Sequence, residues 1–180
     1  MRRLRSVGLA FLGFGLCSCV EATSEMVAVE GRHAAIEARD GVDVARATVA
    51  FVAADGAPSA AVDAFLEDLR VAAAEKNVVV ADAKTAKYLV QAYLSGERTE
   101  GGAEYGYTLE IFGADKKRAR RLDDAVALSA PGDDLWGPPS EGALKQLASQ
   151  GAEDLYAFLS NTPEASATKP TKAAAVVSAR

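Results

Sequence analysis

The longest regular pattern of apolar positions runs from Ser59 to about Lys76. Val62, Phe65, Leu66, Leu69, Ala72 and Ala73 recur there at helical spacing, with Asp63, Glu67, Asp68 and Arg70 between them. This pattern predicts an amphipathic helix with Ser59 as its N-cap and Asn77 near its end. Before it, Ala47–Ala54 is a continuous, partly β-branched apolar run that stops at Asp55-Gly56-Ala57-Pro58, a turn signal. Its length and flanks predict a buried strand. After the helix, Asn77–Ala81 (NVVVA) reads as a second buried strand. Strand, helix and strand in quick succession suit a right-handed parallel crossover.

Beyond residue 87 the period changes to two. Tyr88, Val90, Ala92 and Leu94 share one side of a strand over Tyr88–Glu97, and Tyr105, Tyr107, Leu109 and Ile111 one side of the next, Tyr105–Phe112. The stretch between them, GERTEGGAE, is polar and glycine-rich and reads as a connection. A third run, about Arg120–Leu128, places Leu122, Val126 and Leu128 together and is joined through GADKK, a hairpin signal. Pro138-Pro139-Ser140 opens a second helix, with Leu144, Leu147, Ala148, Gly151, Leu155, Phe158 and Leu159 as its apolar stripe. Ser140 suits its cap, Glu141 its first-turn dipole, and Pro163 its stop. The predicted fold is α+β: a two-layer sandwich of an approximately five-stranded mixed sheet with two helices on one face, in the order β-α-β-β-β-β-α. The expected segments are an export signal over 1–18, a flexible tether over 19–44, a globular domain over 45–162 and a disordered tail over 163–180.

The N-terminus changes the picture. MRRLRS is positively charged, and Val7–Leu16 is an apolar run without a charge. As a helix it spans about 15 Å, half of the roughly 30 Å hydrocarbon core, which suits a cleaved signal and not a membrane span. Leu16-Cys17-Ser18-Cys19 then resembles the lipobox of bacterial lipoprotein precursors, with Leu16 three residues before the modified cysteine and small Ser18 just before it. The resemblance implies diacylglyceryl transfer to Cys19, cleavage before it and acylation of the new amino terminus. It also implies attachment to a membrane through those acyl chains, several of which hold a protein there essentially permanently. Val20, where an Asp would retain the chain at the inner membrane, implies the periplasmic face of the outer membrane, with the inner membrane as the alternative. In element order the domain resembles small periplasmic α/β lipoprotein domains of the kind seen in penicillin-binding-protein activators and in the N-terminal domain of the TolB translocation protein, and the whole more closely resembles short Gram-negative lipoproteins. No functional residue of those families maps onto this chain.

Charge and cysteine content narrow the function further. The formal net charge is −5. Cleavage before Cys19 removes Arg2, Arg3 and Arg5 and leaves 17 basic groups against 25 acidic ones. That balance argues against nucleic-acid binding and against general adhesion to anionic lipid. Both cysteines, Cys17 and Cys19, lie near the N-terminus, so the domain is expected to hold no disulfide and no thiolate metal site.

Few side chains are marked for chemistry. His33, the single histidine, falls in the expected tether and suits a solvated role better than a zinc site. No nucleophile motif is present. Asp123 and Asp124 are neighbours on a strand and so point to opposite faces, while Asp133-Asp134 sit in a loop where a solvated role outweighs a weak Ca²⁺ site. Two features are candidate partner contacts. One is Trp136, which suits a core cap more often than a sugar or protein contact. The other is the basic run Lys116, Lys117, Arg118, Arg120 and Arg121, whose bland role is a solvated turn guarding a strand edge. Its functional role is contact with lipid phosphates or peptidoglycan carboxylates. Tyr88, Tyr93, Tyr105 and Tyr107 form either sheet packing or an aromatic patch. No enzyme activity, cofactor or metal is expected. The expected role is a membrane-anchored, non-catalytic binding or scaffold domain for an envelope protein or the cell wall. The alternatives are a lipid- or glycan-binding accessory factor and a cryptic hydrolase.

Overall fold

The computed structural model of the protein describes residues 26–29, 36–138 and 140–166. The export signal, Cys17, Cys19, His33 and residues 167–180 lie outside these residues. The elements are β1 (Met26–Val29), a 3₁₀ turn at Val44–Arg46, β2 (Val49–Asp55), α1 (Ser59–Glu75), β3 (Tyr88–Thr99), β4 (Gly102–Gly113), β5 (Arg118–Leu128), α2 (Ser140–Ser160) and the short α3 (Pro163–Ser166).

The fold is mixed α+β. Four long strands form an open sheet in the order β5-β4-β3-β2, and short β1 lies against β5. β2 and β3 are parallel, as a crossover through α1 requires; the other pairs are antiparallel. Both long helices cover the same sheet face. Phe65 of α1 stacks on Tyr107 at 6.2 Å, and Asp154 of α2 accepts the Tyr107 hydroxyl proton at 2.7 Å.

The alternation in β3 to β5 explains this layering. Val90, Leu94, Tyr105, Leu109, Ile111, Leu122 and Val126 turn to the helices and are buried. They meet Phe65 and Leu69 of α1 and Leu147, Leu155 and Leu159 of α2 in one core. Each such side chain contributes about 1.5–3 kcal/mol through removal from water. The tether expected over 19–44 includes β1, whose Met26 pairs with Leu128.

The expected strand at Asn77–Ala81 is not one. Only Val80 bridges Val49 there, and Val79 and Val80 are exposed. The reason lies in how α1 stops. Asn77 adopts a left-handed φ of 60°, and the Asn77 and Val78 amides turn back to Ala74 and Ala73. This is a Schellman closure, with Val78 as its buried hydrophobic partner. The hydrophobic run completes the helix end and supplies no ladder.

Ser59 is the first residue of α1 and not its cap; Pro58 holds the cap position, with no side-chain bond. Ser140 likewise opens α2, and its hydroxyl donates back to the Gly137 carbonyl at 2.8 Å. The glycine-rich connection over 96–104 is mostly ladder, because Thr99 pairs with Gly102 around a two-residue turn. Gly102 has φ 145°, and a Cβ there would stand 2.1 Å from the Leu128 carbonyl oxygen, so only glycine fits. In β2 the register slips between Phe51 and Ala53, leaving a bulge at Val52. At the C-terminus the folded chain continues past 162 into α3, where Ala165 is buried.

Candidate functional site

The two ends of the sheet hold most of the marked side chains. At one end the loop before α2 folds back over β3 and β4. Arg98 donates to the carbonyl oxygens of Gly132 and Asp133, Tyr105 donates its hydroxyl to the Leu135 carbonyl, and the Trp136 amide donates to Asp134 Oδ1 at 3.0 Å. Trp136 is thereby laid across the sheet. It meets Tyr105 edge-on at 5.5 Å and covers Gly96 so closely that a Cβ there would stand 2.7 Å from its ring. Trp136 is half-buried against the core. Asp133 and Asp134 serve this loop through a backbone carbonyl and a side-chain turn bond. Among the described residues, no group of three or more His, Cys, Asp or Glu side chains is placed to hold a metal.

The basic run does not form one patch. A bulge at Ala119 puts Arg118 on the same open face of the sheet as Arg121; there Arg118 pairs with Glu110 at 3.1 Å and Arg121 lies 3.8 Å from Asp123. Arg120 pairs across the ladder with Ile111 and so takes the helix side. Lys116, with φ 60°, and Lys117 form the hairpin tip, where Lys117 stands 3.5 Å from Asp115.

Beside Arg120 a cavity of about 420 Å³ opens between the sheet and the C-terminal end of α2. Ile36, Tyr88, Arg120, Phe158 and Pro163 line it. Tyr88 meets Phe158 edge-on at 5.5 Å and donates to Glu164 Oε2 at 2.8 Å. Burial, and then the acceptor Glu164, push the Tyr88 hydroxyl up to about 12. Sequence periodicity does not reveal this cavity, since Ile36 and Pro163 come from segments read as tether and tail.

A third cluster lies under α2. Tyr107 donates to Asp154 from the sheet face that also carries Asp124. Burial pushes both groups above their ordinary ranges; for Asp154 the Tyr107 bond opposes the rise and the nearby Asp124 adds to it. The pair pins α2 to β4. Its signal in the sequence is only an acidic residue beside an apolar stripe. Tyr93 faces the open side of the sheet at 45% exposure, so the tyrosines do not make one patch. No helix among the described residues is long and apolar enough to cross a membrane.

No protein-family model matches the chain, and no curated protein sequence is significantly similar to it. Among solved structures it is similar to a minor lipoprotein from Acinetobacter baumannii, at 14% identity and a TM-score of 0.44 over 62% of this chain and 94% of that one. It is also similar to PelC from Paraburkholderia phytofirmans in two dodecamer structures, each at 12% identity over 78% of this chain and all of that one, with TM-scores of 0.40 and 0.39.

Proposed function

We propose that the protein is a lipid-anchored envelope lipoprotein whose folded domain acts as a non-catalytic binding or scaffold module. Its partner is an envelope protein or the cell wall. The observation that carries this reading is the run Leu16-Cys17-Ser18-Cys19 directly after a charged and then an apolar segment. Acyl chains on Cys19 confine the domain to a membrane face, and Val20 favours the periplasmic face of the outer membrane. The non-catalytic part is supported by the use of the marked polar groups. Tyr107, Asp154 and Arg98 each spend their hydrogen bonds on joining elements, and Asp134 spends its own on a turn within the loop before α2. A lipid-binding role draws on the cavity between Tyr88, Phe158 and Arg120, where an apolar wall meets one cation.

The test is Cys19→Ala with membrane fractionation, together with the intact mass of the wild-type protein. The wild type is expected to carry the mass of its acyl chains and pellet with outer membranes, and the variant to leave the membrane fraction. An unchanged pellet, or a wild-type chain of unmodified mass, refutes the anchor. Crosslinking in intact cells then identifies the partner.

A further inference from the structure

The route by which the chain enters the fold fixes which end of the domain faces the membrane. β1 begins at Met26, only seven residues after Cys19. Seven residues span at most about 25 Å even fully extended, far less reach than a tether running to residue 44. Met26 pairs with Leu128, and Leu128 with Ala103, so the chain joins the sheet beside the Thr99–Gly102 turn and the Trp136 loop. The hairpin tip at Lys116 and Lys117 is at the other end of β5, a strand of 11 residues, or roughly 34 Å away at 3.4 Å per residue.

Charge is distributed along the same axis. Around the entry end lie Glu97, Glu100, Glu104, Asp133, Asp134 and Glu141, with Arg98 and Lys145 as nearby cations. Around the far end, exposed Lys84, Lys87, Lys116, Lys117, Arg118 and Arg120 face Asp82, Asp115 and Glu110. The adjoining segment 37–46 and Glu164 add four acidic and two basic groups, so the surplus of cations is concentrated at the hairpin tip itself. To lower the hairpin tip onto its own membrane, a domain on so short a leash must tip well over onto its flank.

We infer that the anchored domain stands with its acidic end at the bilayer and presents the basic hairpin end, Lys116 to Arg120, to anionic carboxylates of the cell wall. This rests on the lipoprotein reading and adds an orientation and a partner class to it. Same-leaflet lipid phosphates are thereby removed as the target of the basic run.

The mature chain has no thiol besides the acylated one, so single labels are clean. Glu100→Cys and Lys117→Cys are made in the lipidated protein, labelled with a fluorophore and reconstituted in phosphatidylethanolamine–phosphatidylglycerol vesicles bearing a headgroup acceptor. Energy transfer is expected to be strong from 100 and weak from 117. Equal or reversed transfer, on protein whose mass shows the acyl chains, overturns the orientation and leaves the anchor standing; an unacylated mass overturns both. In a second arm the full lipidated protein in mild detergent is sedimented with isolated sacculi. The wild type is expected to pellet, and the Lys117→Glu/Arg120→Glu variant to lose about tenfold or more of its retention, while Glu100→Lys retains it. A wild type that stays in solution, or a double variant that pellets equally, overturns the cell-wall assignment.

Discussion

The entry end and the hairpin end of the sheet each use a pair of aromatic rings, and use them differently. At the entry end Trp136 lies on Tyr105 over a glycine, and the loop beneath it is fastened by side chains bonding to backbone carbonyls. At the hairpin end Tyr88 and Phe158 meet at the same centroid distance, yet they border an open cavity and are tied by one side-chain bond to Glu164. Backbone carbonyls are fixed by the chain path, so the first arrangement is rigid. A carboxylate on a four-residue helix is held by less, so the second arrangement is the less firmly tied.

Substitution tests this contrast directly. Trp136→Ala should lose about 3 kcal/mol, because it uncovers Gly96 and Tyr105 together; a denaturant titration measures it. Phe158→Ala, beside existing empty space, should lose about half as much, roughly 1–2 kcal/mol. Equal losses would remove the distinction between the ends. Arg98→Ala should cost about 1 kcal/mol by leaving two carbonyls without their donor, and should raise hydrogen exchange only in residues 132–136.

Two pH dependences sharpen the comparison further. Folding raises the Tyr88 hydroxyl from 10 to about 12, so its contribution is complete below pH 10 and is lost as pH climbs through 12. Tyr88→Phe should flatten that alkaline limb. The carboxyl of Asp154 is also raised above its ordinary 3.8, chiefly by burial. Its protonated form favours the native state below 3.8, and this contribution fades as pH rises through the folded value. Asp154→Asn, which still accepts the Tyr107 proton, should remove that loss and leave the protein slightly more stable near neutrality. Both are read from stability against pH.

Much of this architecture is legible in the sequence because single-face burial leaves a period. α1, α2 and the three antiparallel strands each show theirs within two residues of the observed bounds, apart from the β3–β4 turn. There the ladder runs through Gly96, Gly102 and Glu104, residues that a turn would also favour. The run at 78–80 is misread because three valines have high strand propensity; Asn77 marks the helix end, but not that Val78 folds back upon it. The basic run shows the same limit in two dimensions. Neighbours in sequence read as a patch, yet a bulge at Ala119 sends Arg118 and Arg120 to opposite faces. The cavity is invisible to periodicity, since its walls come from residues more than a hundred positions apart.

The slip at Val52 has one more consequence. β2 is an outer strand of the sheet, and Val79–Ala81 shields it only at Val49. A straight edge there would offer its remaining amides to any passing chain. The extra residue breaks the spacing that another strand would have to match. An irregularity of one residue thus guards against neighbouring copies zipping together while leaving the sheet's interior undisturbed.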